Sequence, residues 1–146
     1  MEVFFEIVTR VAMSGWVALA LGLYLPRMRP ALQLYGGRIL PALIATAYVG
    51  MIGFFFTDLP DLTHDPSSIA GVRELFAPDA AISAAWFHFL AFDLVFGAWM
   101  VMDGLSRGLP RAGLVVVMIV TWFAGPTGLL VYLALRSLAS RQTTAA

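Results

Sequence analysis

The chain contains no cysteine and no lysine. Without cysteine there is no disulfide, no thiolate metal site and no thiol nucleophile, and redox chemistry says nothing about the compartment. Every basic residue is an arginine, and nine basic against nine acidic side chains leave a net charge of zero. Nothing in that balance suggests nucleic-acid binding, which needs a basic face. Charge is scarce altogether, at 12% of residues against 60% hydrophobic, which places these 146 residues among membrane proteins as a single domain. A signal peptide is not apparent either. The opening Met1-Glu2-Val3-Phe4-Phe5-Glu6 is acidic where a signal is basic, so the first apolar run reads as a retained helix.

What is present is a set of long apolar runs. About twenty apolar residues at 1.5 Å rise cross a hydrocarbon core of roughly 30 Å. Four helices fit, over about residues 3–25, 39–56, 80–102 and 112–135, with the tail 137–146 frayed. Pro26 ends the first, Pro41 sits harmlessly in the first turn of the second, and Pro126 predicts a kink in the fourth. Pro26 to Pro30 reads as a short basic loop. Ser67 or Ser68 caps a short helix through Ile69 to Phe76 whose apolar face would lie on the membrane or over the bundle mouth. The expected fold is therefore an all-α membrane protein, a four-transmembrane-helix bundle with a short amphipathic helix in the loop between helices 2 and 3. Arg27, Arg29, Arg38, Arg107 and Arg111 fall on one side of such a bundle, so the positive-inside rule puts both termini outside.

Ionisable groups inside apolar runs point to a site. Asp93 lies near the middle of Ala80–Met102, where a charge costs about 3 kcal/mol on insertion scales. His88 precedes it by five residues, about 140° away around the helix, so the two do not form one metal-binding face. Glu6 and Arg10 are spaced i,i+4 in the favourable order for an ion pair. Counted from the outer ends of their helices, Arg10, His88, Tyr48, Thr127 and the Gly125-Pro126 break reach a common depth, with Asp93 somewhat deeper. An Asp93–Arg10 pair is then the cheapest way to keep Asp93 ionised. The bland alternative is that Glu6, Arg10 and Asp93 only lock helices together. Asp58, Asp61, His64 and Asp65 match no calcium-loop spacing and lack a second histidine, so no metal site is expected.

Trp86-x-His88, Asp93-Leu94, and Gly125-Pro126-x-Gly128-Leu129 together resemble the ABA4-like family of small four-helix membrane proteins, as does the Gly71–Phe76 segment. The likeness runs from about Phe5 to Leu135. Plant members of that family are implicated in converting violaxanthin to neoxanthin, so the resemblance implies a carotenoid or other isoprenoid ligand and an isomerase-like reaction. Opening an epoxide to an allenic alcohol needs an acid at the oxygen and a base at the adjacent carbon. His88 or Asp93 would transfer the proton, with Arg10 and Glu6 setting protonation states. Trp86, Tyr48, Phe92, Trp122 and Thr127 would line the substrate site, with Phe89, Trp99 and Tyr132 as further aromatic walls. No cofactor is implied. The short loops and absence of a plastid-type leader suggest a bacterial inner membrane. Two other classes stay open: a non-catalytic carotenoid- or lipid-binding accessory protein, and a small proton-coupled transporter. A homo-oligomer is open as well.

Overall fold

The computed structural model describes residues 1–57 and 67–144. Asp58, Asp61, His64 and Asp65 lie outside the described residues, as do the turn signals around them. Every regular element among the described residues is helical. Helix α1 (Glu2–Tyr24) buries Val8, Ala12, Gly15, Trp16, Leu19 and Leu23, a stripe at spacings of three and four residues that turns one face to its neighbours. The second span begins at α2 (Arg29–Leu34), passes through a π-helical turn (Tyr35–Ile39) and continues as α3 (Leu40–Thr57). The helical path thus starts about ten residues before the expected Ile39. Pro30 stands in the first turn of α2, where its missing N–H costs nothing. Gly36 and Gly37 do not end the helix; the π turn absorbs them. They admit close neighbours: a Cβ on Gly36 would meet the Gly15 carbonyl oxygen at 2.8 Å, and Gly37 lies against Ala98.

Helix α4 (Ile69–Leu75) is the expected short amphipathic helix, capped by Ser68, whose Oγ accepts from the Gly71 N–H at 3.0 Å. Its Ile69 and Val72 stay exposed. Helix α5 (Asp79–Ser106) is the central column, burying Ala84, Phe87, Leu94, Met100 and Val101 against its neighbours. It runs parallel to α1. Trp86 Nε1 donates to Thr9 Oγ1 at 3.1 Å, Leu94 packs on Gly15, and Trp16 packs on Gly97. The α2–α3 run is antiparallel to both, pinned by Arg29 Nε donating to the Gly22 carbonyl at 2.8 Å and by the Ser14–Tyr35 hydroxyl pair at 2.8 Å. Three helical stretches, Glu2–Tyr24, Arg29–Gly53 and Asp79–Ser106, are long and apolar enough to cross a membrane.

The fourth expected span is not one. Helix α6 (Arg111–Ala124) and helix α7 (Pro126–Thr144) form an antiparallel hairpin that turns back at Gly125. At the loop end Leu114 packs on Gly104, and at the tip Gly125 lies beside Asp93. Seven residues on, Tyr132 is back at Asp103, and Leu135 lies against Gly113. The sequence predicts a kink at Pro126; the structure shows a reversal. Gly125 takes φ +27°, a conformation glycine alone adopts cheaply, its N–H closes α6 on the Thr121 carbonyl at 2.7 Å, and Pro126 starts α7. With 14 residues, α6 reaches only about 21 Å. In place of the expected four-span bundle, the described residues hold three helical stretches long and apolar enough to cross a membrane and a shorter hairpin. Because α7 returns to the end from which α6 left, the N-terminus and the end of α7 lie at opposite ends of the bundle, not on one side. Residues 137–144, expected to fray, continue α7 as helix.

Candidate functional site

Halfway along α5, Asp93 stands at the tip of the hairpin. Its Oδ1 lies 3.1 Å from where a Cβ on Gly125 would be, so only glycine lets the carboxyl seat against the turn. Asp93 is partly buried, and no hydrogen bond or ion pair joins it to a described residue. It faces a slot of about 290 Å³ walled by Trp16, Trp86, Phe89, Trp122, Phe123 and Pro126. This slot lies beyond the hairpin tip, in space that a straight fourth span would have filled. Trp86 is held by its bond to Thr9 and by Phe5 at 6.2 Å, while Trp122 pairs with Phe123 at 4.5 Å. A second, wholly apolar groove of about 280 Å³ runs between α1 and α6 from Met13 to Val115. Trp16 and Trp122 belong to both. The two cavities therefore meet at these tryptophans, and one carboxyl faces the first of them.

Of the residues expected here, Asp93, Trp86, Trp122 and Phe89 line the slot, whereas Trp99 and Tyr132 do not. Arg10 does not reach Asp93. It pairs with Glu6 at 2.9 Å on an open face of α1, their side chains 79% and 55% exposed, so neither touches the slot. The expected Asp93–Arg10 pair is thus absent, because the i,i+4 partner on its own helix takes the guanidinium outward. His88 turns to the other side of α5, its ring tilted against Phe92 at 4.6 Å and facing Tyr48 at 5.8 Å. His88, Phe92 and Tyr48 form their own aromatic group outside the slot. Thr127 is exposed on α7 and does not line the slot either.

Family membership can now be set beside this geometry. Residues 3–132 match the ABA4-like family, described as ABA DEFICIENT 4-like. The chain belongs to the ABA4-like family. The matched segment covers α1 through the first third of α7, so the hairpin turn and the Asp93 slot both lie within the ABA4-like region. No curated protein and no solved structure matches the chain.

Sequence reading missed a second polar cluster, at the far end of the hairpin. Asp103 Oδ2 accepts from Arg107 Nε at 2.8 Å and from the Tyr132 hydroxyl, with an Arg136 guanidinium nitrogen 3.7 Å away. Tyr132 is fully buried and edge-on to Trp99 at 5.4 Å. The cluster ties α7 to α5 and raises Arg107 above its ordinary guanidinium pKa through the hydrogen bond to Asp103. Two signals were visible, Asp103-x-x-x-Arg107 and Tyr132-x-x-x-Arg136, but a straight fourth helix would have carried the second pair far from the first. The same assumption hid Trp16 from the slot.

Proposed function

We propose that this protein is an integral membrane isomerase that takes an extended carotenoid-class polyene into the slot and moves a proton through Asp93. The observation that carries the reading is a carboxyl with no partner among the described residues, facing an aromatic slot halfway along α5. Aromatic walls suit a flat conjugated chain better than a saturated one. From Trp86 to Asp93 along α5 and from Gly125 back to Val115 along α6, the two cavities laid end to end cover roughly 25 Å. Membership of the ABA4-like family supports the ligand class.

The slot offers one proton-transferring group, so Asp93 serves both roles in turn. As a carboxylic acid it donates to an epoxide oxygen while the carbon–oxygen bond breaks. As the resulting carboxylate it removes a proton from the neighbouring carbon, and the electron pair of that C–H bond becomes the new double bond. Atoms balance as an isomerisation and Asp93 returns to its starting state. The cue for a proton-coupled transporter was a broken spanning helix, whereas here the break is a hairpin turn. For orientation, the hairpin brings Arg136 to the end that already holds Arg27, Arg29, Arg107 and Arg111, while Glu2, Glu6, Glu74 and Asp79 gather at the other. The positive-inside rule then favours the N-terminus outside and the end of α7 on the cytoplasmic side.

The test is purified protein in nanodiscs with a panel of epoxidised, hydroxylated and hydrocarbon carotenoids, followed by chromatography of products. Asp93→Asn is expected to retain pigment and lose conversion, and Trp122→Ala to lose pigment. Pigment held by the wild type without conversion would establish a binding protein instead. Failure to hold any member of the panel would end the ligand assignment.

A further inference from the structure

On the other side of α5 from the Asp93 slot, α2 and its π turn leave a cavity of about 510 Å³. One wall carries Gln33, Gly37 and Arg38, and the other Val95, Trp99 and Met102. Arg38 has no hydrogen bond or ion pair to any described residue. Arg29 donates to a carbonyl, and Arg107 and Arg136 share Asp103, so those arginines near this end of the bundle are engaged.

The root of Arg38 is well inside the apolar part of the bundle. Its neighbour Gly37 lies against Ala98, eight residues or about 12 Å short of the end of α5 at Ser106. An arginine rooted at that depth either stretches to the surface or meets an anion. The cavity is shaped for the second outcome. Leu34, Val95, Trp99 and Met102 around it are each more than two-fifths exposed on the outer face of the bundle, where acyl chains would lie. A guanidinium fork matches the paired oxygens of a phosphate.

We propose that this cavity holds the phosphate headgroup of an anionic membrane lipid, with Arg38 as its cation. The site is separate from the Asp93 slot and stands whether or not a polyene binds there.

Native mass spectrometry of protein released from nanodiscs of phosphatidylglycerol and phosphatidylcholine counts the retained lipid directly. Arg38→Gln is expected to lower retained phosphatidylglycerol at least fivefold, and Arg38→Lys to lower it less. Arg27→Gln, a nearby exposed arginine outside the cavity, should leave it unchanged, and excess inorganic phosphate should not displace it. Equal retention in Arg38→Gln would overturn the proposal, as would an equal loss in Arg27→Gln, which would mean diffuse charge attraction. Displacement by inorganic phosphate would reassign the cavity to a free anion. Circular dichroism of each variant separates lost binding from lost fold, since Arg38 is exposed and its replacement leaves the packing intact.

Discussion

Replacing Gly128 by alanine distinguishes a hairpin from a straight fourth helix by the sign of its effect. In the hairpin α6 and α7 touch at Thr121 and Gly128. A Cβ on Gly128 would stand 2.6 Å from both the backbone nitrogen and the Cα of Thr121, with the Thr121 hydroxyl closer still. Two of those three atoms are main chain and cannot rotate away, so the helices must part. Overpacking of this kind costs about 1–3 kcal/mol, and a backbone clash belongs in the upper part of that range. In one continuous helix, residues seven apart would be roughly 10 Å from each other and would not touch. There the same change would stabilise by about 1 kcal/mol, because alanine is the better helix former. The assay is the melting temperature of purified protein in a fixed detergent, following aggregation by size-exclusion chromatography. Gly128→Ala should melt several degrees below the wild type. Adding Thr121→Ala should recover only part of the loss, since the main-chain contacts remain. An unchanged or raised melting temperature in Gly128→Ala would refute the hairpin, and with it the slot beyond its tip.

Further outcomes follow from the same geometry. The chain has no native cysteine, so Ser106→Cys and Ser137→Cys can be labelled singly; both should react with an impermeant maleimide from one side of the membrane, and Ser67→Cys from the other. Tyr132→Phe removes one hydrogen bond to Asp103 and should lower stability by about 1 kcal/mol, read as a shifted denaturation midpoint, with no effect on pigment retention. Arg10→Gln breaks only an exposed i,i+4 pair and should stay within about 1 kcal/mol of the wild type with unaltered conversion. His88→Ala should likewise leave conversion intact, because the ring faces Tyr48 and Phe92 rather than the slot; a lost product peak would return His88 to the chemistry.

The Arg10 result shows where depth counting fails. Counting residues at 1.5 Å places a side chain along a helix but not around it, and helix α1 turns Glu6 and Arg10 away from α5. The same holds for His88, correctly distant in angle from Asp93 yet directed to a different neighbour. Asp93 itself was legible, because a carboxyl in a long apolar run stands out whatever surrounds it. Trp86 and Trp122 were legible as aromatics near it, whereas Trp16 looked like any buried core residue of α1.

Composition and periodicity alone determined the helical class, three of the apolar stretches and the oddity of Asp93, because each is a property of a segment taken by itself. Whether Gly125-Pro126 bends a helix or reverses it is not such a property. The turn permits either path, and the reversed one is held by contacts that exist only after packing: Gly128 on Thr121, Leu135 against Gly113, and Tyr132 and Arg136 on Asp103. Those contacts join residues on different helices, and tertiary structure alone brought them together. By shortening the fourth helix they also opened the space in which Asp93 faces an aromatic slot.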